Sequence, residues 1–394
     1  MKKCVIWGIG SMAKIAQEIA YYNNWEISSY CDKRYKENNT FGEFNVISPK
    51  ELEELCNQGK IDTVLIGVIK QEFVNEIKAY ISSFINVGGV EIFTLRELRD
   101  IYETEYLVKK REEMTYNWEI DFENQICPWV NQIYTEVDGC VREAICDDGV
   151  YHKDYMDNIQ NNSFTALDSD CLEIAEWLSD GDTVIDFGCC NFSKYGNVIS
   201  ETKKINLIMA DGLAPFWNEA NEKYYAEEIR GRKIKFALFE FAANFFEKNY
   251  ADAIMISNAL DHGIDPFKSI LECLYIIKTG GKLYLKHRRA EALFECYTGL
   301  HKWNIDYDEN DNLIIWNEKN AINVTEEIKE IADVCVRHTD DIISRLDSRV
   351  IVEITKKKDF DFEKFFDWKK ESKMLAGLLE EIMCMMAKKR SYLD

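Results

Sequence analysis

The chain has 394 residues, of which 46 % are hydrophobic and 30 % charged, and this composition indicates globular domains with enough apolar residues for more than one core. Its formal net charge is −22 at pH 7. An acidic average field repels phosphate backbones and anionic lipids, so neither nucleic acid nor a membrane surface is an expected partner.

The hydropathy pattern and the cysteines indicate a cellular compartment. No apolar run approaches the roughly 20 residues of a membrane helix, and the first apolar run passes into glycines and a helix rather than a signal-peptide cleavage site. The 13 cysteines are scattered, with no Cys-x-x-Cys pair, as is typical of free thiols. We therefore predict a cytoplasmic protein.

Residues 1–100 alternate predicted strands and helices. The apolar runs predict strands at 3–10, 25–32, 61–68 and 90–95, and the helical spacings fall at 11–22, 48–59 and 72–84. Apolar strands that alternate with helices form parallel sheets. We predict that residues 1–100 form a Rossmann-like domain, the first of two parallel-sheet α/β domains in series.

A glycine pattern in this first domain follows its first predicted strand and opens its first predicted helix. Gly8, Gly10 and Ala13 form Gly-x-Gly-x-x-Ala, and Asp32 ends the second predicted strand, where a ribose-binding acid belongs. The region resembles the short Rossmann-like domains at the front of sugar acyltransferases and some sugar-modifying methyltransferases. The resemblance implies nucleotide or nucleotide-sugar binding; a structural or dimerising domain that binds nothing is the alternative.

Residues 101–170 lack the strand rhythm and are rich in aromatic and acidic residues. We predict a helical linker and cap, either a substrate lid or plain packing helices. The last segment, 357–394, is predicted to be an amphipathic helical tail that packs on the protein or forms a homo-oligomer contact.

The strand–helix alternation restarts at Cys171. Strands are predicted at 183–188, 205–211 and within 250–260, a glycine turn leads into a strand at 278–287, and a final strand lies at 348–357. Residues 303–316 read as two extended runs joined by an Asp/Asn-rich turn, and residues 324–336 as a helix.

Acidic and small residues recur at the predicted strand ends of this second region, one strand–helix unit apart. Because ligands bind at the carboxyl ends of parallel strands, these residues should lie near one ligand. The series comprises Asp186, Gly188, Asp211, Glu240, Asn258 and Gly280-Gly281.

On this series, residues 171–356 resemble a class I S-adenosylmethionine-dependent methyltransferase. The resemblance implies a seven-stranded sheet with a reversed last strand and S-adenosyl-L-methionine as cofactor. It also implies a cofactor site made of Asp186, Gly188, Cys190, Asp211, Glu240 and Asn258, with Asp211 accepting both ribose hydroxyls. Cys190 departs from the pattern, because the family usually has glycine there; a left-handed backbone at residue 190 would disfavour cysteine and weaken binding.

Three of the five histidines fall where this fold would face its substrate: His262, His287 and His301. Methyl transfer needs an aligned nucleophile and a group that takes its proton. We predict His262 as that base, with Asp261 or Asp265 orienting it. A His/Asp metal site is the alternative chemistry, although no metal is included in the predicted site.

These observations predict a methyltransferase that methylates a hydroxyl of a sugar or nucleotide-linked sugar in surface polysaccharide biosynthesis. The expected partner is a small-molecule or sugar-nucleotide acceptor. Two alternatives stay open: a degenerate, non-catalytic methyltransferase scaffold, which Cys190 favours, and an NAD-dependent sugar-modifying oxidoreductase or epimerase.

Overall fold

A computed structural model describes most of the chain. The described residues are 1–10, 12–35, 39–68, 71–84, 89–95, 97–98, 114–133, 169–190, 193, 195–224, 233–294, 297, 299–339, 349–365 and 367–393. The chain divides into two compact units. Unit 1 is Met1–Thr115 with Leu293–Cys296, and unit 2 is Tyr116–Ala292 with Tyr297–Asp394.

Unit 1 is built on a six-stranded sheet with the order β3-β4-β2-β1-β5-β6, in which the short β3 is antiparallel to β4 and the other pairs are parallel. Its elements are β1 Lys3–Trp7, α1 Ala13–Tyr22, β2 Glu26–Cys31, β3 Thr40–Phe41, β4 Phe44–Ile47, α2 Pro49–Asn57, β5 Thr63–Ile66, α3 Gln71–Phe84 and β6 Glu91–Thr94. The four strands predicted in this region are confirmed as β1, β2, β5 and β6.

Local sequence explains these elements. The strands are buried because their residues are apolar on both faces, as in the consecutive pairs Val5-Ile6 and Val64-Leu65. Helix α2 begins after Ser48, whose hydroxyl accepts a hydrogen bond from the Glu51 N–H. Because β1 lies between β2 and β5, the chain crosses the sheet in opposite directions on either side of β1, and this position is where open α/β sheets bind ligands.

Unit 2 is built on a seven-stranded sheet with the order β11-β10-β7-β12-β13-β18-β17. Its strands are β7 Thr183–Phe187, β8 Val198–Ser200, β9 Lys203–Lys204, β10 Asn206–Asp211, β11 Lys235–Phe236, β12 Ala251–Ser257, β13 Ile277–Arg288, β14 Asn304–Tyr307, β15 Leu313–Trp316, β16 Ala321–Asn323, β17 Ala332–Thr339 and β18 Arg349–Lys356. Its helices are α4 over 122–133, α5 Ser169–Trp177, α6 Ala214–Tyr224, α7 Ala242–Phe245, α8 Pro266–Ile276, α10 Val324–Ile328 and α11 Trp368–Leu393, and the short helix α9 Glu291–Phe294 has its first two residues in unit 2 and its last two in unit 1.

The reversed last strand is confirmed, because β18 is antiparallel to both β13 and β17, whereas β10, β7, β12 and β13 pair in parallel. The two extended runs around 303–316 are confirmed as the antiparallel pair β14 and β15. Strand β7 lies between β10 and β12, so unit 2, like unit 1, reverses its strand order at the carboxyl end of its first strand.

One prediction for unit 2 is wrong. The helix predicted over 324–336 ends at Ile328, and Ala332–Thr339 is instead strand β17, because a short apolar run next to a helix carries no period that separates helix from strand. The glycine turn predicted before a strand is present within the range of β13: Ala251 pairs with Ile277 and Ala253 with Lys282, so residues 278–281 bulge out of the pairing, and Gly280 has φ +85°. There a Cβ at Gly281 would meet the Asp252 carbonyl oxygen at 2.5 Å, so the close strand approach requires glycine.

Most of the segment predicted as linker and cap, 101–113 and 134–168, lies outside the described residues. Within its described part, α4 buries Phe122, Ile126 and Val130 against Met374 and Leu378 of α11. No helix within the described ranges is long and apolar enough to cross a membrane.

Candidate functional site

The turn that follows β7 brings backbone groups to the switch point of the unit 2 sheet. Gly188 has φ +76°, and a Cβ there would lie 2.6 Å from the Ala259 Cβ, just beyond the end of β12. Cys190 has φ +60° and an exposed side chain. The turn therefore requires a left-handed residue at position 190, and cysteine occupies it in spite of the cost of about 1–2 kcal/mol for a residue with a Cβ.

Asp211 ends the neighbouring strand β10 and is held against this turn. Its Oδ2 accepts a hydrogen bond from the Cys190 N–H at 2.9 Å, and its Oδ1 accepts one from the Leu213 N–H at 2.7 Å. Burial raises the pKa of Asp211 to about 6, and these hydrogen bonds, which lower the pKa, only partly offset the burial. The Trp217 side chain also lowers this pKa, and the lone pairs that remain on the carboxylate suit a neutral hydroxyl donor.

The other predicted cofactor residues of unit 2 lie at or near the same strand ends. Asp186 is buried within β7. Asn258, with φ +52°, follows β12, and its Oδ1 accepts a hydrogen bond from the Arg288 N–H at 3.1 Å. Glu240 is buried, and its Oε1 accepts a hydrogen bond from the Ile264 N–H at 2.8 Å, so its carboxylate ties two loops together.

Three histidines converge on Asp261, which sits in a 3₁₀ turn over Leu260–His262. Asp261 Oδ2 lies 2.8 Å from His301 Nδ1 and 3.5 Å from His262 Nε2, and these two nitrogens are 3.2 Å apart. Burial opposes ionisation of Asp261, but the charge of His262, the hydrogen bond with His301 and the nearby His287 hold its pKa well below the usual range. The structure thus brings His262 close to Asp261, whereas the hydrogen bond of Asp261 is with His301.

The remaining predicted residues take other positions. The His287 side chain is only 1 % exposed, and its Nδ1 is 3.7 Å from Asp261 Oδ1, so it lies on the interior side of Asp261. Asp265 does not orient His262: its carboxylate caps α8, accepting a hydrogen bond from the Lys268 N–H at 2.9 Å. The nearby Trp303 is buried and stacks on Trp118 with ring centroids 4.8 Å apart.

A cavity of about 420 Å³ opens beside the histidines in unit 2. Its wall includes Gly263 and Lys302, which follow His262 and His301 in the chain. It also includes Trp129, Tyr297 and the amide side chains Gln125, Gln132, Asn317 and Asn320. Trp129 and the amide side chains were not predicted from the sequence, since α4 and the turn after β15 are distant in sequence; the amide-rich turn 317–320 was the available signal.

The turn after β1 in unit 1 repeats the arrangement of the turn after β7. Gly8 has φ +120°, and the next residue, Ile9, donates its N–H to Asp32 Oδ2 at 3.3 Å. Asp32 Oδ1 also accepts hydrogen bonds from the Arg34 backbone N–H at 2.8 Å and from the Arg34 Nε at 3.1 Å. Burial raises the pKa of Asp32, but the Arg34 contacts prevail and hold it below its usual value. The predicted positions Gly10 and Ala13 are bridged by the Ala13 N–H, which donates to the Gly10 oxygen at 3.0 Å as α1 begins.

Comparison with known proteins gives structural similarities alone, since no family model and no curated protein matches the chain. One similar structure is a chain of the complex that contains the Haloferax volcanii Trm112 methyltransferase activator (14 % identity, 58 % of this chain and 98 % of that chain, TM-score 0.37). Another is the CurJ carbon methyltransferase, with 13 % identity over 73 % of this chain and 79 % of that chain and a TM-score of 0.37. A third is the N-methyltransferase NodS from Bradyrhizobium japonicum in complex with S-adenosyl-l-homocysteine. It shares 11 % identity over 58 % of this chain and 100 % of that chain, with a TM-score of 0.34. TM-scores this low establish no function for this chain.

Proposed function

We propose that unit 2 is an S-adenosylmethionine-dependent methyltransferase. The proposal depends on the environment of Asp211, a buried acid at the switch point of the sheet. In the contacts described above, its carboxylate oxygens accept hydrogen bonds only from neutral N–H groups. A ribose diol supplies two hydroxyl donors to such a carboxylate. The Cys190 N–H that donates to Asp211 places the turn after β7 against this acid, at the carboxyl ends of the strands where open α/β sheets bind ligands.

The proposed acceptor is a hydroxyl of a sugar or nucleotide-linked sugar bound in the cavity beside His262 and His301. Amide side chains and the rings of Trp129 and Tyr297 are suited to hydroxyl groups and to the apolar face of a sugar ring. Its place in surface polysaccharide biosynthesis stays a prediction from the sequence.

For this reaction the protein must align the acceptor hydroxyl with the methyl group and assist the removal of one proton. S-adenosylmethionine supplies an activated methyl group. The cavity would hold the acceptor oxygen in line with that methyl; a carbon–oxygen bond forms as the carbon–sulfur bond breaks, and the hydroxyl proton leaves. The cluster of Asp261, His262 and His301 is proposed to favour loss of that proton, because it combines a buried carboxylate with two partly exposed imidazoles.

One observation favours a second candidate, the degenerate scaffold. Cys190 holds the left-handed conformation in which cysteine is disfavoured. If binding has been lost at this turn, relieving that strain in Cys190→Gly should raise affinity for the cofactor by a large factor.

The test of the proposed function is calorimetric titration with S-adenosylhomocysteine. We expect micromolar binding that Asp211→Ala weakens about 10- to 100-fold, the scale of lost charge-assisted hydrogen bonds. Asp32→Ala is the matched control, since it removes the equivalent acid of unit 1, and it should leave the affinity unchanged. Absence of binding, or equal loss in both variants, would refute the assignment.

A further inference from the structure

We propose that Asp261, His262 and His301 bind one divalent transition-metal ion. Three ligand atoms converge: Asp261 Oδ2, His262 Nε2 and His301 Nδ1, whose mutual distances are 2.8, 3.2 and 3.5 Å. Ligand atoms about 2.0–2.2 Å from one ion, separated by angles of about 90–110°, lie roughly 2.8–3.6 Å from one another. The three distances therefore match one face of a coordination sphere.

If the three atoms hold only protons and no metal ion, one of their three mutual contacts is unfavourable. Asp261 Oδ2 is an acceptor, so if both facing nitrogens carry protons, two N–H groups point at each other across 3.2 Å. If only His301 Nδ1 carries a proton, the lone pair of His262 Nε2 faces the carboxylate at 3.5 Å. A cation that accepts a lone pair from all three atoms makes every contact favourable.

The surroundings of the cluster hold its ligands in place, as metal sites require. Trp129 Nε1 donates a hydrogen bond to the His262 carbonyl oxygen at 2.7 Å, and the Lys302 N–H donates one to the Asp261 carbonyl oxygen at 3.3 Å. The Asp261 side chain is 1 % exposed and His287 lies behind its second oxygen, whereas His262 and His301 are 30 % and 24 % exposed. The ligands are thus fixed on the interior side and accessible on the other.

The ligand atoms select the class of ion. Two imidazole nitrogens and one carboxylate suit Zn²⁺, Fe²⁺, Co²⁺ or Ni²⁺ better than Mg²⁺ or Ca²⁺, which prefer oxygen ligands. Three protein ligands leave at least one open position. The role of the ion, unlike its binding, rests on the proposed function: a cation there lowers the pKa of an acceptor hydroxyl that reaches the open position, and the proton leaves to solvent.

The experiment is titration of the untagged, chelator-stripped protein with Zn²⁺ in competition with a chromophoric chelator. We expect one ion per chain with a submicromolar Kd. His262→Gln and His301→Gln should each weaken binding at least 100-fold. The matched control His338→Gln, which removes a histidine outside the cluster, should leave the Kd within threefold. Circular dichroism checks that each variant is folded.

Co²⁺ substitution identifies the ligands independently of activity. Visible absorption bands without a thiolate-to-cobalt charge-transfer band would support the His/Asp site. No stoichiometric binding, binding retained in both histidine variants, or a thiolate band that places the ion at cysteines would overturn it. Titrating S-adenosylhomocysteine into the stripped and the Zn²⁺-loaded protein separates the two proposals: nucleoside binding without Zn²⁺ binding refutes only the metal site, and the reverse refutes only the proposed function.

Discussion

The turn after β1 in unit 1 and the turn after β7 in unit 2 share one architecture and differ in charge. In both, a left-handed glycine follows the first strand, and a backbone N–H just beyond it donates to the acid that ends the second strand, Asp32 or Asp211. Arg34 pairs with Asp32, whereas the hydrogen bonds described for Asp211 come from backbone N–H groups. The same fold thus gives an acid that is already neutralised in one unit and an acid suited to hydroxyl donors in the other.

Substitution of the glycine in each turn should have the largest consequence, because the two glycines differ in how closely other atoms approach them. Gly188→Ala forces a Cβ to 2.6 Å from the Ala259 Cβ at a φ of +76°, so it should cost about 3 kcal/mol of stability and abolish S-adenosylhomocysteine binding. The matched variant Gly8→Ala, with its nearest side-chain contact at 3.1 Å from Val68 Cγ2, should destabilise the protein by about 2 kcal/mol and leave that binding intact. Urea unfolding and calorimetry measure both, and binding by Gly188→Ala would contradict the placement of the ligand.

The pKa values of the two acids predict a pH dependence. The pKa of Asp211 is raised to about 6, so protonation below that pH removes its acceptor capacity for two hydroxyls. Affinity for S-adenosylhomocysteine should fall about tenfold between pH 7.5 and pH 5. Asp211→Asn should bind more weakly with a flat profile, whereas Asp32→Asn should retain the slope. A slope that persists in Asp211→Asn would assign the titration to another group.

The smallest effect concerns the strain at Cys190. Cys190→Gly should raise stability by about 0.5–1 kcal/mol, because glycine tolerates φ +60° but has the larger unfolded-state entropy. Cys190→Ala is the control, since it removes the thiol and keeps the strain. For a working turn, cofactor affinity should change less than threefold in Cys190→Gly; a rise above 30-fold would favour the degenerate scaffold.

The sequence predicts the parts of the site that depend on neighbours along the chain. Apolar runs located β1, β7 and β12, and the acids at strand ends followed from them. Strand β17 was missed because its short apolar run has no distinct period. Three features could not be predicted from local patterns: the Asp211–Cys190 contact, the approach of His301 to Asp261 and the cavity wall from α4. Each depends on residues that the tertiary fold brings together.

The two turns are proposed to differ in binding: the unit 2 turn binds the nucleoside and the unit 1 turn does not. Hydrogen–deuterium exchange, measured with and without S-adenosylhomocysteine, reports on both turns within one sample. We predict protection of peptides covering 184–190 and 206–213, with peptides covering 3–10 and 26–34 unchanged. Protection confined to the unit 1 peptides, or none at saturating ligand, would contradict the account.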